Sequence, residues 1–247
     1  MSKTLLITGA SSGLGAACAR NAARFGWTDV VLHYGQNKDG AAQVADDLRN
    51  QGVTRHLVQA DLSDTGTIDA LFAPIRALPP QHFGLINNAG IVGPKASLAD
   101  LTPKRIKHIF DVNVLSAFEV ARQAVLLMRD WQQGGSIVNI SSIAARLGSA
   151  HEYVDYAASK GAIDTMTKGL ANELAGEGIR VNAVRPGIFD TEIHAKGGQP
   201  GRAERLSSVI PMGRPGAPDE AAEAILWLLS DKASYSTGTI LDTSGGR

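Results

Sequence analysis

The chain is 247 residues long, with 24 basic and 24 acidic side chains and a single cysteine, Cys18. This length is sufficient for one α/β domain with a substantial core, and no low-complexity linker divides residues 1–247. The balanced charge does not favour nucleic acid or an anionic membrane, and one cysteine excludes an internal disulfide. Because no apolar run is long enough for a signal peptide or a membrane span, we expect a soluble, cytoplasmic protein.

The chain begins with a mainly apolar run, residues 4–8, of the length expected for a strand buried on both faces. The turn Gly9-Ala10-Ser11-Ser12-Gly13-Leu14-Gly15 follows, and an alanine-rich helix begins at Ala16. This order places backbone N–H groups and the positive end of a helix dipole at one point. A side chain at the glycines would hold a pyrophosphate away from the backbone, or the helix away from the strand. The turn therefore predicts a dinucleotide site, although its glycine spacing differs from Gly-x-Gly-x-x-Gly.

The second predicted strand, residues 30–34, ends without the acidic residue that would hold the adenosine ribose of NAD. The chain continues instead as Gly35-Gln36-Asn37-Lys38. Because a carboxylate there would repel a 2′-phosphate, its absence favours NADP over NAD. No arginine is present to bind that phosphate. Lys38 could replace it or could be a solvated surface lysine.

Polar residues also follow the next two predicted strands, residues 56–60 and 83–86. Asp61 could accept a hydrogen bond from an adenine amino group, or it could cap the helix predicted over residues 64–78. The other strand runs into Asn87-Asn88-Ala89-Gly90, where amide side chains and a glycine would line the cofactor beside the first turn.

Residues 102–130 carry apolar residues at helical spacing, with Asn113 in the middle. Asparagine is a poor helix former, so Asn113 could mark a local break that frees a backbone carbonyl, or it could be an ordinary polar-face position. The fifth predicted strand, residues 136–140, then delivers Ser141 and Ser142 at its carboxyl end.

A long helix, predicted to end near residue 177, carries Tyr156 and Lys160 four positions apart and therefore on one face. A positive charge beside a phenol lowers the phenol pKa, so Tyr156 could exchange a proton with a carbonyl or alcohol oxygen. Tyr153 has Ala157 at the equivalent position and lacks such a partner. An isolated pair of this kind is usually an ordinary feature of an amphipathic helix with no catalytic role. The prediction therefore depends on the other motifs.

A sixth predicted strand, residues 179–184, precedes Pro186-Gly187, and a helix over 219–229 precedes a last strand at 239–242. The irregular residues 188–211 predict a mobile lid over the substrate. Strands that alternate with helices so regularly predict an α/β fold with a parallel sheet between two layers of helices. Ligands of such sheets bind at the carboxyl ends of the strands.

The glycine turn, Asn87-Asn88-Ala89-Gly90, Asn113, Ser142, Tyr156 with Lys160, and Pro186-Gly187 occur here in one order. In these motifs nearly the whole chain closely resembles the short-chain dehydrogenase/reductase family. The resemblance implies an NAD(P)-dependent oxidoreductase with a Rossmann-like three-layer α/β/α sandwich, a seven-stranded parallel sheet and a homotetrameric or homodimeric assembly. Residues 153–156 and 234–235 resemble a bacterial branch that includes glucose 1-dehydrogenase-like members.

The resemblance also implies roles for single residues. Tyr156 would be the general acid/base, and Ser142, which aligns better than Ser141, would hydrogen-bond the substrate oxygen. Lys160 would lower the phenol pKa and hold the nicotinamide ribose, and Asn113 would position a water in a proton relay. Thr191 would bind the carboxamide. The cofactor contacts predicted from the sequence or implied by the resemblance are Gly9, Ser11, Ser12, Gly13, Leu14, Gly15, Asp61, Asn87, Ala89, Gly90, Tyr156, Lys160, Pro186, Gly187, Ile188 and Thr191.

The expected reaction is hydride transfer between NAD(P)H and a small-molecule carbonyl or secondary alcohol, with action on CH–OH groups. A sensor or scaffold that binds NADP without turnover is the alternative, but it would gain nothing from a tuned phenol. A metal-dependent hydrolase would need paired ligands, and the six histidines show no such spacing, so we expect no metal.

The substrate pocket is less well specified by the sequence. His151, Glu152 and His194 could belong to the pocket or to the solvated surface. The chain between Ser142 and Tyr156 is one residue longer than is usual in the family, so this loop could shape the pocket differently.

Overall fold

The computed structural model describes residues 2–79, 81–193 and 197–247, and a parallel sheet lies at its centre. Its strands hydrogen-bond in the order β3-β2-β1-β4-β5-β6-β7, and every neighbouring pair is parallel. The predicted α/β fold with a seven-stranded sheet is confirmed. The strands are β1 (Lys3–Ile7), β2 (Asp29–Tyr34), β3 (Thr54–Gln59), β4 (His82–Asn87), β5 (Gly135–Ile140), β6 (Ile179–Pro186) and β7 (Ile240–Thr243).

Helices cover both faces of the sheet. None within the described ranges is both long and apolar enough to cross a bilayer. The helices are α1 (Gly13–Asn21), α2 (Lys38–Asn50), α3 (Asp69–Arg76), α4 (Pro103–Phe110), α5 (Ser116–Trp131), α6 (Ala144–Leu147), α7 (Val154–Leu174), α8 (Arg202–Arg205) and α9 (Pro218–Leu229).

Two separate hydrophobic cores result from the alternation of side chains along the strands. In β1, Leu5 and Ile7 pack into a core with residues of α1, α2 and α9. Leu6, between them, packs into the other core with residues of α3, α5 and α7. Both faces of β1 are therefore buried, which explains its continuous apolar sequence.

The helix predicted over residues 102–130 is divided in the structure. Thr102 caps α4 by accepting a hydrogen bond from the Arg105 N–H, at 3.2 Å. Residues Asp111–Leu115 then form a π-helical turn before α5 begins. Asn113 lies in this turn and is buried, so the local break is confirmed and the polar-face alternative is wrong.

The crevice that positions the site follows from the strand order. The chain runs outward from β1 to β3 and then returns to β4 on the other side of β1. A reversal of this kind leaves an opening at the carboxyl ends of the two central strands. Thr8 fixes it, because its hydroxyl oxygen accepts hydrogen bonds from the N–H groups of Asn88 and Ala89, both at 2.9 Å.

Candidate active site

A cavity of about 1800 Å³ lies along the carboxyl edge of the sheet. Pockets for one small ligand measure roughly 300–1000 Å³, so this cavity has room for a dinucleotide and a second small molecule. Most of the predicted site residues meet in its wall. Those that line it are Gly9, Ser11, Ser12, Gly13, Leu14, Asp61, Ala89, Gly90, Ser142, Tyr156, Lys160, Pro186, Gly187, Ile188 and Thr191.

The glycine turn is packed too closely for side chains at two of its positions. Gly9 has φ +67°, which favours glycine, and a Cβ there would lie 3.1 Å from the Cα of Ala89. Gly15 is outside the described cavity lining, but a Cβ on it would lie 2.3 Å from the Gly9 carbonyl oxygen. Ser12 is the N-cap of α1, and the first turn of that helix carries no acidic residue. The turn and the helix end therefore suit a phosphate group.

The predicted cofactor contact of Asn87 needs correction. Asn87 is buried, and its side chain donates to the Ala117 carbonyl at 2.9 Å, outside the described cavity lining. Its neighbour Asn88 lines the cavity and donates to the carbonyls of Thr8 at 2.8 Å and Gly9 at 3.1 Å. Successive side chains of an extended chain point to opposite sides, so only one of the two can face the turn.

His33 supports the glycine turn from β2, a role that the sequence analysis missed. Its Nδ1 accepts a hydrogen bond from the Gly9 N–H at 3.0 Å, and its Nε2 lies 3.2 Å from the Ala60 carbonyl. Burial lowers the pKa of this imidazole, although the bond to Ala60 opposes the change. A neutral ring that accepts at Nδ1 and donates at Nε2 fits both contacts. The sequence could have indicated this role, because His33 stands near the carboxyl end of a predicted strand, where ligands of parallel sheets bind.

Asp61 lies in the cavity wall and does not cap a helix. Its Oδ1 accepts hydrogen bonds from the N–H of Ser63 at 2.9 Å and from the Ser63 hydroxyl at 2.7 Å, which lower its pKa. The cap of the following 3-10 turn is Asp64, which accepts from the Gly66 N–H. The capping alternative for Asp61 is therefore wrong, and its charged carboxylate stays exposed at the cavity wall.

Ser142 and Tyr156 both line the cavity wall, and the interaction of the Ser142 hydroxyl with the phenol lowers the phenol pKa. The Ser142 hydroxyl oxygen accepts from the Ala144 N–H at 3.1 Å. Ser141 is oriented differently: it is buried, and its hydroxyl donates to the Lys160 carbonyl at 3.1 Å. The serine that accompanies the phenol is therefore Ser142.

Lys160 lies beneath the phenol with its ammonium group buried. Its Nζ is 5.8 Å from the centroid of the Tyr156 ring and donates to the Ile140 carbonyl at 2.7 Å. Gly90 makes room for this lysine, because a Cβ there would lie 3.3 Å from the Lys160 Nζ and 3.3 Å from the Asn113 Oδ1. The pairing expected from the spacing of four residues is present.

The direction of the phenol pKa differs from the sequence prediction. Burial raises the pKa of Tyr156, and the interaction with the Ser142 hydroxyl only partly opposes this. Burial likewise lowers the pKa of Lys160 to about 8, while the charge of Asp164 opposes that change. In the protein alone, the phenol pKa is therefore raised by burial and not lowered as the sequence predicts. Tyr156 is protonated at neutral pH.

Asn113 lies outside the described cavity lining and is held by Ile91 and by Ser159, the residue before Lys160. Its Oδ1 accepts from the Ile91 N–H at 2.8 Å, and its Nδ2 donates to the Ile91 carbonyl and the Ser159 hydroxyl, both at 3.0 Å. These bonds occupy the amide and tie the π-helical turn to α7. The water relay implied for Asn113 stays a prediction.

A buried ion pair fixes the start of α7 and with it Tyr156. Asp155 is buried, and its two oxygens accept from the Nε and Nη2 of Arg105 at 2.8 and 3.2 Å. The carboxylate also accepts from the Tyr156 N–H at 3.0 Å. A negative group in the first turn of a helix is favoured by the helix dipole.

Glu152, Tyr153 and Arg202 form one part of the cavity wall, which we call the mouth. Glu152 accepts two hydrogen bonds from Arg202 of α8, at 3.0 and 2.6 Å, and its carboxylate lies 3.6 Å from the Lys95 ammonium. The Arg202 guanidinium also stacks over the Tyr153 ring, 5.3 Å from its centroid. These contacts lower the pKa of Glu152. Glu152 is therefore a pocket residue.

The loop between Ser142 and Tyr156, where the resemblance implies an extra residue, has an unusual backbone. Ser149 and His151 have positive φ angles of 49° and 60°, a conformation that is uncommon outside glycine. Ser149 and Ala150 line the cavity, whereas His151 is exposed and stays outside the described lining. His194 lies outside the described residues. No group of three or more His, Cys, Asp or Glu side chains in the described ranges could hold a metal ion.

Known proteins match the chain from end to end. A family model described as enoyl-(acyl carrier protein) reductase matches residues 9–247. The uncharacterized oxidoreductase YgfF of Escherichia coli is 48% identical over 244 residues, which cover 98% of each chain. The 3β-hydroxysteroid dehydrogenase 1 of Eggerthella lenta is 40% identical over 252 residues, which cover 99% of this chain and 93% of that protein.

A solved structure shares the fold over the same length. The crystal structure of 3-ketoacyl-(acyl-carrier-protein) reductase from Brucella melitensis complexed with NADH has a TM-score of 0.87 and 32% sequence identity. The match covers 99% of this chain and 98% of that one.

Proposed function

This chain belongs to the short-chain dehydrogenase/reductase family of NAD(P)-dependent oxidoreductases, and we propose that it interconverts a carbonyl compound and a secondary alcohol with Tyr156 as general acid/base. The position of the Tyr156 and Ser142 side chains in one cavity wall, with the buried Lys160 ammonium 5.8 Å from the Tyr156 ring centroid, carries the proposal. A proton donor and a second hydroxyl thus line a cavity large enough for a dinucleotide.

The residues present fit a bound dinucleotide. The tightly packed glycine turn and the end of α1 would hold the pyrophosphate, and Asp61 would accept from the adenine amino group. Lys160 would contact the nicotinamide ribose, and Thr191, 3.6 Å from the Cβ position of Gly13, would bind the carboxamide. When bound, the nicotinamide supplies or accepts the hydride.

The end of β2 supports NADP as the preferred form. Gly35, Gln36 and Asn37 line the cavity there, so no carboxylate from this segment would repel a 2′-phosphate. Asn37 caps α2 by accepting from the Gly40 N–H at 3.0 Å, which sets the positive end of that helix beside the same wall. A helix N-terminus favours a phosphate group.

The proton chemistry follows from the pKa directions. Because burial raises the pKa of Tyr156, the phenol holds its proton at neutral pH and can donate it to a carbonyl oxygen. Tyr156 would give its proton to the carbonyl oxygen and so complete the hydroxyl group of the alcohol. Ser142 would polarise the same oxygen, and the Lys160 charge would stabilise the phenolate that remains. In alcohol oxidation, the Tyr156 phenolate would take the proton back from the hydroxyl group.

Reduction of a carbon–carbon double bond is the second candidate, because the matching family model is described as an enoyl-(acyl carrier protein) reductase. In that reaction the proton ends on carbon. A serine hydroxyl beside the tyrosine hydroxyl suits a substrate oxygen better, since both groups bind oxygen through hydrogen bonds. Carbonyl reduction is therefore preferred.

A substrate panel tests the proposal. Purified protein is supplied with NADPH or NADH and with aldehydes, ketones, quinones, keto sugars and enoyl thioesters, and cofactor oxidation and product structure are measured. We expect NADPH-dependent formation of an alcohol from at least one carbonyl compound. Turnover of enoyl thioesters alone, or cofactor binding with no turnover of any class, would contradict the proposal.

A further inference from the structure

Asp164 lies one helical turn after Lys160 on α7, and its carboxylate is almost entirely buried. Only 8% of the residue is exposed. Its Oδ2 accepts two hydrogen bonds from Arg185 of β6, from Nε at 3.0 Å and from Nη2 at 2.8 Å. Its Oδ1 is buried and has no hydrogen-bond partner among the described residues. A buried carboxylate with an unused oxygen requires a compensating interaction.

Arg185 is held on its other side by a second carboxylate. Its Nη1 donates to the Oδ1 of Asp242 in β7 at 3.3 Å, and the other oxygen of Asp242 pairs with Arg146 of α6. The four side chains alternate in sign and their formal charges cancel. This charge chain of Asp164, Arg185, Asp242 and Arg146 links α7, β6, β7 and α6.

Asp164 stands four positions after Lys160, so the two buried side chains share a face of α7. Around the ammonium, β5 contributes the carbonyl of Ile140, which accepts from Nζ at 2.7 Å, and the π-helical turn contributes Asn113, whose Oδ1 lies 3.3 Å from the Cβ position of Gly90, as does the Lys160 Nζ. On α7 itself, the Tyr156 ring centroid lies 5.8 Å from Nζ, and the buried carboxylate of Asp155 is paired with Arg105. Arg185, from β6, is paired with Asp164. Burial lowers the pKa of Lys160 to about 8, and the charge of Asp164 opposes this.

We propose that Asp164, fixed by Arg185, is a positioning residue that keeps Lys160 charged beneath the reacting phenol. This inference rests on the proposed function, in which the lysine must be an ammonium ion for Tyr156 to work. Asp164 acts only through Lys160, since it is outside the described lining of the cavity.

The first test is Asp164→Asn, which keeps the size of the side chain and an oxygen for Arg185 but removes the charge. Loss of a nearby opposite charge lowers an ammonium pKa, and about one unit is the lower end of such shifts. Since Lys160 is active below its pKa, the alkaline limb of the kcat/KM profile should move to lower pH. A shift from about 8 to about 7 would cost roughly five-fold at pH 8 and almost nothing at pH 6.

Two further variants separate a charge effect from a structural one. Asp242→Asn removes the other carboxylate bound to Arg185 and should leave the alkaline limb in place. Arg185→Gln removes a cation and should move the limb to higher pH, the opposite direction. If all three variants lower activity equally at every pH, or if neither Asp164→Asn nor Arg185→Gln moves the limb, the inference is overturned.

A measurement that needs no turnover keeps this result distinct from the proposed function. Protein labelled with [13C]lysine is titrated by NMR, and the Lys160 signal is assigned by its loss in Lys160→Met. We expect its pKa to fall in Asp164→Asn and rise in Arg185→Gln, and an unchanged pKa in both folded variants overturns the inference. Expected shifts in a protein that turns over no carbonyl compound would support the placement of Asp164 and reject the proposed function.

Discussion

The floor and the mouth of the cavity are built from different parts of the chain. At the floor, glycines bring backbone atoms together, and the side chains of the buried His33 and Lys160 and the half-buried Asn88 bind main-chain carbonyls or N–H groups. At the mouth, the long charged side chains of Glu152, in a loop, and Arg202, in α8, form an ion pair. The floor is suited to one rigid ligand of fixed shape, whereas the mouth can be altered without disturbing the strands.

Of the variants considered, substitution of Tyr156, which belongs to neither the floor nor the mouth, should reduce activity most. Tyr156→Phe should keep the affinity for NADP and lower kcat by about 10²–10⁴, the usual cost of losing acid/base catalysis. Stopped-flow and steady-state kinetics measure kcat, and fluorescence titration measures cofactor binding.

Tyr153 supplies the matched control for that experiment, because it also lines the cavity but packs against Arg202. Tyr153→Phe should change kcat by less than about five-fold, since its ring and the stacking contact remain. Equal losses in the two variants, or full turnover in Tyr156→Phe, would reject the catalytic assignment.

A smaller change, in cofactor affinity, is expected when Gly15 at the floor is substituted. Gly15→Ala places a Cβ 2.3 Å from the Gly9 carbonyl oxygen, which must move and carry the phosphate-binding turn with it. Overpacking of this kind costs about 1–3 kcal/mol, so the Kd for NADP should rise about 5- to 150-fold if the turn must be restored for binding. Calorimetric titration measures the Kd, and thermal unfolding reports the stability.

Gly169→Ala is the control, because a Cβ there has no heavy atom within 4 Å and lies inside α7. Alanine is the better helix former, so this variant should be at least as stable as the parent and should bind NADP equally well. A similar loss of affinity in both would show that the packing of Gly9 against Gly15 is unimportant.

The smallest change, in the KM for the substrate, is expected when the ion pair at the mouth is altered. Glu152→Arg should raise the KM for the substrate about five-fold with little change in kcat or cofactor Kd, because a partly exposed ion pair is worth about 1 kcal/mol. Adding Arg202→Glu recreates the pair in reverse order and should recover most of the loss. If the double variant is no better than the single one, the ion pair does not set the shape of the mouth.

The sequence predicts the floor far better than the mouth because the floor depends on local order. All seven strands, the glycine turn and the pairing of Tyr156 with Lys160 follow from short-range spacing. The prediction of Asn87 as a cofactor contact is wrong because side chains alternate at the end of β4, so that Asn87 binds the Ala117 carbonyl and Asn88 faces the glycine turn.

The mouth and the charge chain involve residues far apart in the sequence. Arg202 reaches Glu152 across 50 positions, and Arg185 reaches Asp164 across 21. No periodicity links such partners, because only tertiary packing brings them together. The raised pKa of Tyr156 escaped prediction for the same reason, since its cause is burial by distant elements and not its sequence neighbours.

The central claim is that one substrate oxygen meets both Tyr156 and Ser142. A crystal structure of the protein with NADP and a carbonyl substrate analogue tests it directly. We expect the carbonyl oxygen within about 2.5–3.0 Å of both hydroxyl oxygens, with the nicotinamide on the opposite face of the carbonyl carbon. An analogue whose oxygen binds Arg202 at the mouth, away from both hydroxyls, would contradict the account.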